Sequence, residues 1–522
     1  MVRSTNTTYR RTLSARDNST SSEEQNSTDI PEETEQKEFK TLANASYFLL
    51  ISIVVVVVVL LVVTFPDPEE WRPFDITGEE EVIREKFDSW RRGDRETELL
   101  LNSSICNIDK RFSNELTNEE FATVYRYKKP VIIVFQHGAN EWTSPEDWTL
   151  ENLLWNYQDW EIASGTSYDI VRHGGSGNEF TTFNVFLNTL MDQQNPLDEP
   201  IYVFDRFFYK DTSLPATIKV PEYLAVTDET DDSIFFLGAS KSGVSFHKHA
   251  DAWNGVVYGR KRWFLYPPQK TPPGGVWPGF SSLDWFNEVY PHLEGEEKPI
   301  ECIQEAGEIL SQPESFYHST LNIGDTVAIG IQKKQAATEI ETLFYEAKEL
   351  EKVNLRNDIP KEEKRHHLMR YRQYFEKLHH LLPENSEVLN LLGFAIFTET
   401  QDTVRAMKVT KEAMARDAYF VEAILNMAKY HFFIGEHEQA LQLYKQAREV
   451  NPKNWGIYAQ YGDALAQLNH PQKAAELYHI GTQLKPAMIP FWVRLADQQE
   501  KMGDLEGAEK SRREVMRLQQ DI

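Results

Sequence analysis

The stretch Ser242–Pro268 reads SGVSFHKHADAWNGVVYGRKRWFLYPP, and within it His247, His249 and Asp251 fall at alternate positions. An extended strand would point all three side chains the same way. Far downstream, SQPESFYHSTLNIGDTVAIG adds one further histidine, His318, just ahead of another β-type run. Two close donors and one distant histidine make the ligand set of a facial metal triad, which keeps coordination positions open for a substrate. Alternating histidines also suit a solvated sheet face, and spacing alone leaves both readings standing.

Such donors need strands to hold them. From about 101 to 335 the chain is a series of short β-type runs, PVIIVF, IYVF, SIFFLG, NGVVYG, RWFLYPP and DTVAIG, broken by Gly, Pro and Asp. Runs at this spacing predict a sandwich or small barrel.

The last 140 residues repeat at a fixed offset of 34. Ala428, Gly462 and Ala496 are in phase, as are Ala440, Ala474 and Ala508. Tyr444 recurs as Tyr478, Ala447 as Gly481, and Pro452 as Pro486. Small residues at these positions let two antiparallel helices approach around an aromatic ring, and the proline stops the second helix. This resembles the tetratricopeptide pattern over 383–522, with a degenerate first copy carrying Gly393, Ala406 and Ala413. The final copy has Arg512 in the aromatic position, as a polar capping helix should. The resemblance implies an all-α solenoid that binds a protein or peptide along a concave groove. No lysine/asparagine clamp for an acidic C-terminal peptide is evident. Residues 336–382 read as an amphipathic helical linker.

Tyr47–Phe65 is nineteen uncharged, mostly apolar residues. As a helix it would extend about 28 Å, enough to cross a bilayer core. Residues 1–46 have the polar composition of a disordered tail, and 66–100 read as a stalk. Lys37 and Lys40 precede the span while Asp67, Glu69 and Glu70 follow it. That asymmetry favours a single-pass type II arrangement with the C-terminal domains outside the cytosol. Asn102-Ser-Ser is a glycosylation sequon on that side; Asn6, Asn18, Asn26 and Asn44 head others in the tail. The net charge of −26 argues against nucleic acid as a partner. With only Cys106 and Cys302, the chain is neither a disulfide scaffold nor a multi-cysteine zinc protein.

VVYGRKRWFLYPP and the later FYHSTLN resemble the jumonji-C domain of cupin-fold iron(II)/2-oxoglutarate oxygenases. The resemblance implies a double-stranded β-helix (cupin/jelly-roll) barrel, with iron(II) and 2-oxoglutarate as cofactors. It puts Lys261 in the place of the lysine that binds the far carboxylate of 2-oxoglutarate, and His318 in that of the distal histidine. Asn254 and Asn322 match asparagines near the co-substrate. Phe316-Tyr317 stands where Trp-Trp is common. Two registers remain open for the first pair of ligands. His249-Ala250-Asp251 fits the family's His-x-Asp literally, but the ten-residue step to Lys261 is short. His247-Lys248-His249 gives twelve and is preferred. It is also the register of an endoplasmic-reticulum subgroup whose similarity extends from Cys106 to Cys302.

That subgroup implies a luminal domain and a Cys106–Cys302 bridge. The expectation is a membrane-anchored, iron(II)/2-oxoglutarate-dependent protein hydroxylase-like protein of the secretory pathway. The alternative is a catalytically weak or inactive cupin scaffold whose repeats recruit a partner. A membrane anchor and an acidic chain do not suit a chromatin enzyme, so histone demethylation is not expected.

Overall fold

The computed structural model describes residues 90–172, 175, 177–191, 200–208, 212–225, 232–354 and 358–520. The predicted tail and the apolar span Tyr47–Phe65 lie outside the described residues. Among the described residues, no helix is long and apolar enough to cross a membrane.

Among the described residues, ten strands form the first part: β1 (Asp109–Phe112), β2 (Val131–Val134), β3 (Glu161–Gly165), β4 (Glu179–Thr182), β5 (Tyr202–Asp205), β6 (Asp232–Gly238), β7 (Ala252–Tyr266), β8 (Ile300–Gln304), β9 (Ile309–Gln312) and β10 (Tyr317–Gln332). Their order is β1-β2-β9-β7-β10-β6-β5-β3-β4, with β8 also on β7. The long antiparallel pair β7/β10 is the spine. β7 hydrogen-bonds β9 over Ala252–Gly255 and β8 over Lys261–Leu265, so one strand serves two neighbours. The β7/β10 register slips between Ile323 and Val327. Gly259 (φ +75°) and Gly324 (φ +79°) sit at this slip, and a Cβ on Gly259 would run into the Asp325 carbonyl. A bulge of this kind bends the strands and rolls the sheet into a cupin-like jelly roll.

The pleat sorts side chains onto two faces. Phe264, Tyr266, Tyr317 and Leu321 face one side and pack on Trp285 and Phe286 of a helix, Ser282–Glu288. Lys261, Trp263, His318, Thr320 and Asn322 face the other side, where the register pairs Lys261 with Asn322 and Trp263 with Thr320. A second cluster covers the other end of the sheet, with Trp142, Trp148, Phe183 and Phe186 against Ile309, Val327 and Ile329. Trp90 belongs to that cluster, and its Nε1 donates to the Trp148 carbonyl at 2.9 Å. Burying such a ring is worth on the order of 4 kcal/mol. The helix α1 (Arg95–Leu101) follows, its Asp94 cap accepting from the Thr97 amide, and Arg260 pairs with Glu98. Residues 90–100 are therefore part of the sheet domain rather than the end of a separate stalk. A disulfide joins Cys106 to Cys302 on β8.

From Glu339 onward the described residues form helices joined by short turns. Helices α2 (Glu339–Asn354) and α3 (Lys361–Leu381) occupy the predicted linker. The hairpins that follow are α4/α5 (Ser386–Thr400, Thr403–Arg416), α6/α7 (Val421–Phe433, His437–Val450), α8/α9 (Trp455–Gln467, Pro471–Leu484) and α10/α11 (Ile489–Lys501, Leu505–Gln520). α6, α8 and α10 begin at the 34-residue interval read from the sequence. A Cβ on Gly462 would lie 2.5 Å from the Tyr478 ring, which is why that position must be small.

Candidate metal centre

His247 and His318 form an isolated antiparallel bridge, so their side chains leave the backbone on the same face. His249 follows two residues later, and its carbonyl accepts from the Ser315 amide at 3.0 Å. Each imidazole turns its Nδ1 to a main-chain carbonyl: His247 to Ser245 at 2.8 Å, His249 to Ala250 at 2.7 Å, His318 to Phe316 at 2.9 Å. A carbonyl only accepts, so this network assigns the proton to Nδ1 and leaves the lone pair on Nε2. The three rings offer nitrogen donors that all lie within 4.8 Å of one another.

Burial keeps these rings neutral. It pulls His247 down to about 4, and His249 to about 3 with help from the His247 charge. His318 is driven well below the ordinary histidine value by burial and by both neighbours. A neutral imidazole is the form that ligates a metal. Gln312 at the end of β9 donates its Nε2 to His249 Nε2 at 3.1 Å and to His318 Nε2 at 3.2 Å. Both lone pairs are thus presented as acceptors, and Gln312 Oε1 is buried without a hydrogen-bond partner.

Beside the histidines lies a cavity of about 50 Å³, walled by Tyr202, Phe204, Phe236 and Trp263. Lys261 reaches into it and is only 1% exposed. Its Nζ donates to the Tyr202 hydroxyl at 2.7 Å and to Asn322 Oδ1 at 3.0 Å. Neither partner is charged, and no carboxylate of the described residues lies within ion-pair distance. Burial lowers this amine to about 7. An ammonium enclosed without a counter-ion is costly, and an anion bound in the cavity would relieve that cost. Asn254 lines the same cavity, with its Oδ1 buried and unpartnered. The donor set therefore fits a metal ion with a bidentate dianionic co-substrate: three lone pairs at one side, a cation at the other, and apolar rings between.

The structure brings together His247, His249, His318, Lys261 and Asn254. Asn322 stands behind Lys261, and its amide donates to Ser242 Oγ at 3.0 Å. It orients the lysine and does not line the cavity. Asp251 is not in the cluster. The chain bends at Ala250 and Asp251, which ends the alternation, and β7 starts only at Ala252. The Asp251 carbonyl accepts from the Lys333 amide at 2.9 Å, while its side chain lines a separate small cavity with Arg126 and Tyr223. The register His249, Asp251, His318 is thus corrected by a local bend. Gln312 and Tyr202 were not legible from spacing. A glutamine ending the apolar run ILSQ was the only local hint of the first; nothing in IYVF marks the second.

Residues 117–331 match the family described as the cupin-like domain. Mouse JmjC domain-containing protein 8 is 31% identical over 236 residues, spanning 44% of this chain and 83% of that protein. The Caenorhabditis elegans bifunctional arginine demethylase and lysyl-hydroxylase psr-1 is 28% identical over 260 residues, spanning 43% and 60%. Among solved structures, a crystal structure of MamA is 20% identical and covers 31% of this chain and 94% of its own. Its TM-score of 0.27 is too low to bear on the fold.

Proposed function

Because the chain belongs to the JmjC cupin-like family, we propose that it is an iron(II)- and 2-oxoglutarate-dependent oxygenase acting on a protein side chain. One observation carries this reading: three converging imidazole lone pairs and the buried, counter-ion-free Lys261 face the same cavity. Iron(II), 2-oxoglutarate and O₂ would together supply oxidation of a substrate C–H bond, with release of succinate and CO₂.

His247, His249 and His318 would hold the metal through Nε2. Their Nδ1–H bonds to backbone carbonyls fix the rings in the ligating orientation. Lys261 would hold the far carboxylate of the co-substrate, aimed by Tyr202 and Asn322. Asn254 Oδ1 can accept one further hydrogen bond in the cavity. Phe204, Phe236 and Trp263 line the cavity and, by excluding water, would strengthen an ion pair between Lys261 and a bound carboxylate. Gln312 must withdraw its amide from His249 and His318 before those lone pairs can ligate, since one lone pair cannot do both.

The helical repeats would bind a protein or peptide along a groove of about 510 Å³ that includes Phe397, Lys429, Phe433 and Tyr444. Tyr47–Phe65 is read as a single-pass anchor, with the folded domains on the luminal side. The Cys106–Cys302 disulfide supports that side, because such bridges persist in oxidising compartments. Modification of the exposed Asn102 sequon, read as glycosidase sensitivity, tests the topology; an unmodified sequon beside a glycosylated control overturns it.

A second reading is favoured by the ligand set itself. Among the described residues no carboxylate joins the histidine cluster, so a bound iron would keep both positive charges. On that reading the barrel is a scaffold and the repeats do the work. Anaerobic titration with iron(II) and then 2-oxoglutarate separates the two. A visible charge-transfer band, lost in His247→Ala, with succinate formed on adding O₂, is the oxygenase outcome. No iron bound at micromolar concentration leaves the scaffold.

A further inference from the structure

The residues next to the three histidines point away from the cavity, and two of them meet the same carboxylate. Lys248 separates His247 from His249, and Tyr317 immediately precedes His318. Glu387, in the first turn of α4 in the repeat array, accepts from Lys248 Nζ and from the Tyr317 hydroxyl, both at Oε2 and both at 2.5 Å. The Lys248 ammonium also lies over the Tyr317 ring at 4.6 Å and the Phe344 ring at 4.2 Å. Lys248 and Glu387 are only 15% and 12% exposed, so this is not a solvent-screened surface pair.

Asn385, the N-cap of α4, completes the contact. Its Nδ2 donates to the Tyr317 hydroxyl at 2.8 Å and the Pro268 carbonyl at 2.7 Å, while its Oδ1 accepts from Thr271 Oγ1 at 3.0 Å and the Val388 amide at 2.8 Å. Thr271 Oγ1 in turn accepts from the Glu387 amide at 2.9 Å. Every polar group named here is satisfied. Such a fully connected network holds its members in one geometry.

We infer that Glu387 is a positioning residue for the three-histidine cluster, so that the metal centre is complete only when the first repeat helix is docked on the barrel. The inference rests on the cluster being the metal site. Its physical basis is that Lys248 and His249 lie outside any regular strand, where a ladder would otherwise fix them. A single carboxylate grips the segment bearing two ligands and the strand end bearing the third. The repeat array is then a structural part of the site as well as a surface for partners.

The test uses the full chain. Glu387→Gln keeps the shape and removes the charge, while Lys248→Met with Glu387→Met removes the pair together and preserves folding. Glu384→Ala, which breaks a surface pair with Arg416 one turn away, is the control. Two readouts are taken: cobalt(II) affinity with its d–d spectrum, and hydrogen exchange of the His247 and His318 amides in the metal-free protein. We expect both pair variants to bind cobalt about 10- to 100-fold more weakly, with an altered spectrum. We also expect both to exchange those amides faster, and the control to match wild type. Wild-type affinity, spectrum and exchange in either folded pair variant overturn the inference. If wild type itself binds no cobalt, the oxygenase reading falls, and the exchange measurement alone decides: faster exchange supports the clamp and unchanged exchange overturns it.

Discussion

The amides of His247 and His318 each donate to the other's carbonyl, at 3.2 and 2.9 Å, and their rings stand 4.1 Å apart. This two-way backbone pairing fixes the distance between two candidate ligands before any metal arrives. Preorganisation of that sort lowers the ordering cost of ligation.

The first prediction concerns ligand identity. His247→Ala, His249→Ala and His318→Ala should each weaken iron(II) or cobalt(II) binding by more than about 100-fold. Asp251→Asn should leave it within about 3-fold, because Asp251 lines a different cavity. Calorimetric titration of the four variants decides the matter. Metal loss in Asp251→Asn with retention in His247→Ala would restore the His-x-Asp register.

A second prediction follows from Lys261. Burial lowers its amine to about 7 in the folded protein, whereas an unfolded lysine titrates near 10.5. Between those values the unfolded chain binds more protons, so this group makes stability rise with pH from about 7 to about 10.5. Binding a dianion would pull the amine back to its charged form. The affinity for 2-oxoglutarate should therefore fall above about pH 7, with proton uptake on binding. Lys261→Met should abolish the proton uptake and weaken binding about 10- to 100-fold. Calorimetry in buffers of different ionisation enthalpy reads both effects, and pH-independent binding would count against Lys261 as the anion site.

The junction between barrel and repeats carries its own pH signature. Glu422 in the first turn of α6 packs against Gly275, and burial raises its carboxyl to about 8. Asp417 is raised to about 6 by the same cause. The folded state then binds more protons than the unfolded chain from about pH 4 upward, so these groups make stability fall as pH rises to about 8. Glu422→Gln should melt several degrees above wild type at pH 8 and close to it at pH 5. Equal melting temperatures at both would show that the carboxylate is better solvated than its packing implies.

The disulfide gives the fourth prediction. Cys106 and Cys302 close a loop with a sequence separation of 196, and Cys302 is buried. Cys302→Ser should cost about 2–5 kcal/mol in denaturant unfolding. Reductant should bring wild type to the same level and leave Cys302→Ser unmoved. A variant as stable as wild type would make the bridge dispensable.

The periodicities of the sequence are local facts, and the local structure obeys them. A 34-residue recurrence of small residues and tyrosine dictates stacked helical hairpins, because only small side chains fit beneath Tyr444 and Tyr478. Alternation likewise puts His318, Thr320 and Asn322 on one face of β10, and Lys261 and Trp263 on the matching face of β7. The residue types offered metal ligation beside a solvated sheet face, and the role of Lys261 came from the family resemblance. Tertiary structure decided which residues meet. Alternation alone would have kept Asp251 beside His249, but the bend at Ala250 and Asp251 and the pairing to Lys333 turn it away. Gln312 and Tyr202 reach the centre from β9 and β5, and Glu387 of the first repeat helix meets Lys248 and Tyr317 beside the ligands. No spacing encodes those meetings, because contacts between distant segments are set by how the sheet rolls and where the helices dock on it.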